Sequence, residues 1–318
     1  MSTPPLAVPP PTRPDADPME HGFLEDLVAG GVRLTPAQGL RLLEAMPIQE
    51  LGRWADARCR VLHGDAIRTY VIDRNINYTN VCSAKCTFCA FRRDGDEHDA
   101  YTLEYEDLLA KIAELEAIGG TQILMQGGMN PALPLQWYLD LLALIRERHP
   151  SVHVHAFSPP EFIEFVNFFD PPGENLRAKI HWVMVRLKEA GLHSVPGGGG
   201  EIFAPAVRRK IGLGKCTAEA WLTVMRVAHE LGMNTSATMM FGHIEDWADR
   251  IRHLALLRSV QRESGGFTEF VPLSFVHEEA PLFREQMLRD EGVVVPPGPG
   301  ESQRVRLYAL ARLMLGRD

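Results

Sequence analysis

Six times between residues 69 and 275 the chain repeats one pattern: a short apolar or alternating segment, a loop rich in glycine, proline or histidine, then a stretch with helix-spaced apolar residues. The strand candidates are 69–78, 121–126, 152–157, 192–195, 235–241 and 268–275, with segments such as "LEYEDLLAKIAELEAIGG" and "TAEAWLTVMRVAHELGM" between them. A repeated strand–helix unit has few solutions. Each helix crosses over to bring the next strand parallel to the last, and right-handed crossovers put the helices on one side, so the sheet curls. The pattern predicts an α/β fold, a full or partial TIM-like (β/α) barrel. In such barrels the loops that follow the strands carry the chemistry. Here those loops read "TNVC", "GGMNP", "SPPE", "PGGGGE", "GHIED" and "VHEEAP".

The remaining sequence frames that barrel. Residues 1–20 are proline-rich without an apolar core segment, which predicts a disordered tail rather than a signal peptide. Residues 21–66 have helical apolar spacing, with Thr35 as an N-cap and Pro36 at the first helical position, and predict an N-terminal helical extension. Residues 67–318 form the barrel region. An apolar fraction of 45% is ample for a core, and a net charge of −8 argues against a nucleic-acid partner, although Arg208, Arg209 and Lys210 suffice for a small anion. No run of eighteen apolar residues occurs, so no membrane helix is expected. Five cysteines, an odd number without an export signal, point to reduced thiols and a cytoplasmic protein.

Three of those five stand together in "NVCSAKCTFCAF": Cys82, Cys86 and Cys89, spaced C-x3-C-x2-C. Thiolate is the soft ligand of zinc and of iron–sulfur clusters. Structural zinc takes four protein ligands, whereas Cys59 and Cys216 are remote and unpaired in pattern. Three cysteines on one loop suit a cubane cluster that keeps one iron open. Zinc completed by a distant histidine, and incidental buried thiols, are the alternatives.

That spacing, with Phe88 before the last cysteine, resembles the signature of the radical S-adenosylmethionine superfamily. The resemblance implies a 4Fe–4S cluster on the three cysteines, its open iron chelated by S-adenosylmethionine. Reductive cleavage then yields a 5′-deoxyadenosyl radical that abstracts hydrogen, with an electron donor such as flavodoxin or ferredoxin. It also implies cofactor contacts from Phe88, from Gln126, Gly127 and Gly128 in "MQGGMNP", and from Thr238, while Ser158 and Glu161 in "HAFSPPE", nearest the expected cavity mouth, are candidates for cofactor ribose or substrate hydroxyls. Glycine pairs otherwise serve as plain turns, and His153 and His155, on one strand face, read as core histidines as readily as ligands. Glu201, at the end of four glycines, and His243 and Glu269 are the candidate acid–base groups.

Longer phrases narrow the resemblance to the group containing the futalosine-route enzymes and deazaflavin (FO) synthase. "DRNINYTNVC", "GGTQILMQGGMNPALPLQWY" and "PGGGGEI" resemble the cyclase that converts dehypoxanthine futalosine to its cyclic form in menaquinone biosynthesis, a carbon–carbon bond-forming step. By contrast "FTEFVPLSFVHEEAPLF" resembles the tyrosine-using component of FO synthase, in coenzyme F420 biosynthesis, and that is the alternative. A non-catalytic metal-binding barrel, or an inactive fragment, is the reading from outside this class. The resemblance implies a further strand and glycine-rich segment past "LARLMLGRD", so the C-terminal end reads as truncated.

Overall fold

The computed structural model describes residues 9–64 and 67–316. Its sheet holds β1 (Asp73–Asn77), β2 (Gln122–Gln126), β3 (His153–Ala156), β4 (Ser194–Val195), β5 (Asn234–Phe241) and β6 (Phe267–Ser274). All neighbours pair in parallel, in the order β1-β2-β3-β4-β5-β6, and β1 and β6 do not pair with each other. The partial barrel of the two expected forms is the one that occurs.

β1 is shorter than the 69–78 run. Its ladder to β2 begins at Asp73↔Gln122, and Tyr70, Val71 and Ile72, which lack a place in that ladder, stay exposed. β4 is reduced to two residues because only Ser194 pairs with β3.

Helices α1 (His21–Ala29), α2 (Pro36–Ala45) and α3 (Ile48–His63) precede the sheet, and α4 (Tyr105–Ala117) and α5 (Leu135–Arg148) follow β1 and β2. After β3 come α6 (Pro159–Phe169) and α7 (Leu176–Ala190), and after β4 come α8 (Pro205–Ile211) and α9 (Ala218–Glu230). The chain continues through α10 (Trp247–Ser264), α11 (Pro281–Arg284) and α12 (Glu301–Leu315).

Strand side chains alternate between faces. Ile76, Ile123, Met125, Val154, Ala156 and Val195 point outward into one core with Leu108, Tyr138, Phe162, Val183 and Trp221 of the helices. Each fully buried Val, Leu, Ile, Met or Phe among them contributes about 1.5–3 kcal/mol. The opposite faces turn Asn77, Gln126, His155, Ser194, Ser236 and Thr238 toward the concave side.

The N-terminal helices build a second core with the last ones, where Leu24, Leu27 and Leu42 meet Leu254 of α10 and Leu307, Leu310 and Met314 of α12. Thr35 caps α2 as expected: its Oγ1 accepts the Gln38 N–H, and Gln38 Oε1 accepts the Thr35 N–H at 2.9 Å. Gln38 also corrects the expectation of a disordered tail for residues 9–20. Its buried Nε2 donates to the Arg13 and Ala16 carbonyls at 2.8 and 3.0 Å, and Thr12 bridges Arg33. Polar anchoring to α2 places this segment despite its composition. Residues 1–8 lie outside the described residues.

Candidate active site

The cysteine loop follows β1, and three other strand-end loops hold it by main-chain bonds. Ser83 N–H donates to Met129 O after β2 (2.9 Å), Lys85 and Thr87 donate to Leu213 and Ile211 around α8 (2.8 and 2.9 Å), and Leu282 of α11 donates to Thr87 O (2.7 Å). Within the loop Cys89 N–H turns back to Cys86 O at 3.1 Å. Asn80 closes its base, accepting the Tyr101 N–H at 2.7 Å and donating to Asp99 O at 2.9 Å. The thiols therefore sit on backbone fixed from several directions.

All three cysteines open onto one cavity of about 510 Å³ at the C-terminal ends of the strands, within the usual size range of ligand sites, about 300–1,000 Å³. Burial raises the Cys82 thiol and pushes that of Cys86 up to about 11. A larger recess of about 850 Å³ lies among α1, α3 and α12, on Arg33, Arg58 and Arg262, remote from the cysteines. Size does not pick the site; the thiols do.

Most sequence-predicted residues meet in the cysteine cavity. Phe88, Gln126, Gly127, Gly128, Ser158 and Glu161 line it, as do Glu201 and Thr238. Two do not. His243 is fully buried behind the β5 loop, with Nδ1 accepting the Ile244 N–H (2.8 Å) and Nε2 3.2 Å from Met240 O. Glu269 is exposed on edge strand β6 and lines a separate small recess with Arg258 and Gln261.

Glu161 is fully buried, and its carboxylate is occupied by the protein itself. Oε1 accepts Tyr78 O–H at 2.6 Å and Gly127 N–H at 3.3 Å, while Oε2 accepts Ser158 N–H and Oγ–H at 2.7 and 2.6 Å. One side chain thus ties together the ends of β1, β2 and β3. Burial raises its carboxyl above the ordinary value, and the bonds from Ser158, Tyr78 and Gly127 offset part of that.

Lys215, which sequence reasoning passed over, ion-pairs with Glu201 and lies 5.1 Å from the centre of the Phe88 ring. Burial would raise the Glu201 carboxyl, but Lys215, with Arg208 behind it, holds it below its ordinary value. Arg208 donates to the Gly199, Gly200 and Cys216 carbonyls, which fastens the four-glycine loop. A lone lysine in "GLGKCT" carries no spacing signal. Only the fold brings it to the cysteines.

The Radical SAM superfamily model matches residues 76–257, more than half of the chain. The chain belongs to the radical SAM superfamily. Its fold resembles that of methylornithine synthase (TM-score 0.67, 17% identity, 92% of this chain and 77% of that one). It also resembles the FeFe-hydrogenase maturase HydG from Carboxydothermus hydrogenoformans (TM-score 0.65, 18% identity, 93% and 63%).

In sequence it is 40% identical, over 91% of its length and 74% of the relative's, to 5-amino-6-(D-ribitylamino)uracil–L-tyrosine 4-hydroxyphenyl transferase of Methanopyrus kandleri. To the FO synthase of Nocardia farcinica it is 38% identical over 98% of its own length, but it spans only 34% of that protein. These relatives overturn the expected identity as a futalosine cyclase, and the menaquinone and carbon–carbon cyclase readings go with it. The phrases that suggested the cyclase lie largely in loops that surround the cysteines. The segment that pointed to the tyrosine-using enzyme supplies Leu273, Ser274 and Val276 to the cavity wall.

Radical SAM enzymes use a 4Fe–4S cluster and S-adenosylmethionine. The cavity fits them. Three thiols on one loop, all opening onto the cavity, are a donor set that such a cluster takes. A cubane puts each cysteine on a different iron. A Cβ on Gly128 would stand 2.1 Å from Val81 O and 3.0 Å from Cys82 Cβ, so the main chain after β2 lies this close to the cysteine loop only as glycine. The Arg92 Nε on the same wall is buried without a partner, a donor free for an anionic ligand group. No helix among the described residues is long and apolar enough to cross a membrane.

Proposed function

We propose that the chain acts on L-tyrosine and 5-amino-6-(D-ribitylamino)uracil as a 4-hydroxyphenyl transferase, the activity named for its Methanopyrus kandleri relative. The observation that carries the reading is 40% identity over 91% of this chain, with 74% of that relative covered. Cys82, Cys86 and Cys89 would hold the cluster, and Gln126, Gly127, Gly128 and Thr238, which line the same cavity, would contact S-adenosylmethionine. Bound together, those groups supply one-electron chemistry that ends in hydrogen abstraction.

The protein's own part is to position and to exclude water. Phe88 and Met240 make apolar wall beside the thiols. Lys215 and Glu201 together present a cation and a carboxylate, the pair that complements the ammonium and carboxylate of an amino acid. Glu201, kept ionised by Lys215, presents a fixed negative charge to the cavity.

Anaerobically reconstituted protein should release 5′-deoxyadenosine and an adduct only when tyrosine and the ribitylaminouracil are both present. Turnover of dehypoxanthine futalosine with none of tyrosine would overturn the reading.

A further inference from the structure

The closed barrels of this class fill their interior with branched apolar side chains. Here the concave face is polar. On the β1–β2 wall the inward positions are Asp73, Asn75, Asn77, Gln122 and Gln126, with Leu124 between the glutamines. The side chains of Asp73, Asn75, Asn77 and Gln122 make no hydrogen bond among the described residues, and Asp73 and Asn75 are exposed.

The facing wall on β3–β5 is already hydrogen-bonded. Ser194 Oγ lies 2.7 Å from both His153 Nε2 and His155 Nδ1, Ser236 Oγ is 3.4 Å from His155 Nε2, and Gly197 N–H donates to Ser236 at 2.9 Å. Burial holds His155 down at about 4, so its ring is neutral, one nitrogen a donor and the other an acceptor toward Ser194 and Ser236.

A primary amide likewise carries donors and an acceptor. Set every second residue, about 6.6 Å apart along the strand, such groups match a ligand with hydroxyls at intervals. The run from Asp73 to Asn77 spans about 13 Å, more than an extended five-carbon chain requires. Among the described residues no protein group pairs with the Asn75, Asn77 and Gln122 amides.

We propose that this trough holds the polyol chain of a sugar-alcohol-bearing pyrimidine. The ring stands beside Asn77, which lines the cysteine cavity, and the hydroxyls run down along Asn75 and Gln122, opposite His155 and Ser236. This arrangement keeps the ring next to the reacting centre. It rests on the reading above for the identity of the polyol as ribityl.

The test is anaerobic titration calorimetry on the reconstituted holoenzyme, with 5-amino-6-(D-ribitylamino)uracil and with 5,6-diaminouracil, which lacks the chain. Asn75→Leu with Gln122→Met should weaken binding of the ribityl compound at least about tenfold, while leaving affinity for diaminouracil and S-adenosylmethionine as in the parent. Unchanged affinity for the ribityl compound, or an equal loss for both uracils, would overturn the trough. Should the double variant fail to fold by circular dichroism, the two single variants carry the same comparison. If the parent binds neither uracil, the functional reading falls by itself, and D-ribitol observed by ligand NMR then decides. Contact with the parent and not the variant supports the trough, and contact with neither overturns it.

Discussion

Glu161 shows how much one side chain can hold. Its two oxygens accept four hydrogen bonds from the ends of three strands, so removing it strands several buried donors at once. Leaving a buried polar group unsatisfied costs about 1–3 kcal/mol. Glu161→Ala is therefore expected to lower unfolding free energy by about 3 kcal/mol, and Glu161→Gln, which keeps one acceptor, by less; urea titration compares them. From the sequence, "SPPE" pointed to Ser158 and Glu161 as candidate ligand contacts, because residue type and loop position are all that a sequence displays. That Tyr78 and Gly127, far away in the chain, also converge on Glu161 follows from register. Lys215 was illegible for the same reason.

The cysteine loop is legible as chemistry and much less so as architecture. C-x3-C-x2-C announces itself by crowding in a cysteine-poor chain. The loop's rigidity comes instead from main-chain bonds to Met129, Leu213, Ile211 and Leu282, which no side-chain pattern reports. The glycine pair after β2 reads as backbone laid against a ligand, yet added Cβ atoms would first strike the protein, Tyr78 from Gly127 and Val81 from Gly128. Gly128→Ala must displace the cysteine loop, and it should lower affinity for the cluster roughly tenfold, measured as iron retained per chain against a chelator. Gly232→Ala is the control. Unlike Gly128 it has a positive φ (+70°), with open space around it, so it should lose stability without losing iron.

Across the whole molecule, the βα rhythm predicted the sheet and its order because each strand pairs with its neighbours in sequence, and hydrophobic spacing reports such local order well. Which relatives the chain sits among was less clear, since loops around a shared cofactor resemble one another across a group.

The buried histidines make a molecule-wide prediction. Burial holds His155 and His229 at about 4 and His253 at about 3. The unfolded chain takes up protons near 6.5 and the folded one does not, so stability is full above about pH 6.5 and falls as pH drops toward 4. Three such groups give a slope of at most about 4 kcal/mol per pH unit. Urea midpoints should fall steeply between pH 6.5 and 5 and stay flat above pH 7.

The gap between β1 and β6 bears on how the chain assembles. No ladder bond requires residues 73–77 to find residues 267–274, so each strand can dock as it emerges, onto the one made just before. The long closure that a complete barrel would demand is shifted to side-chain packing, where α12 settles against α2 and α3. Helix α12, far from α2 and α3 in sequence, thus ties the first helices down.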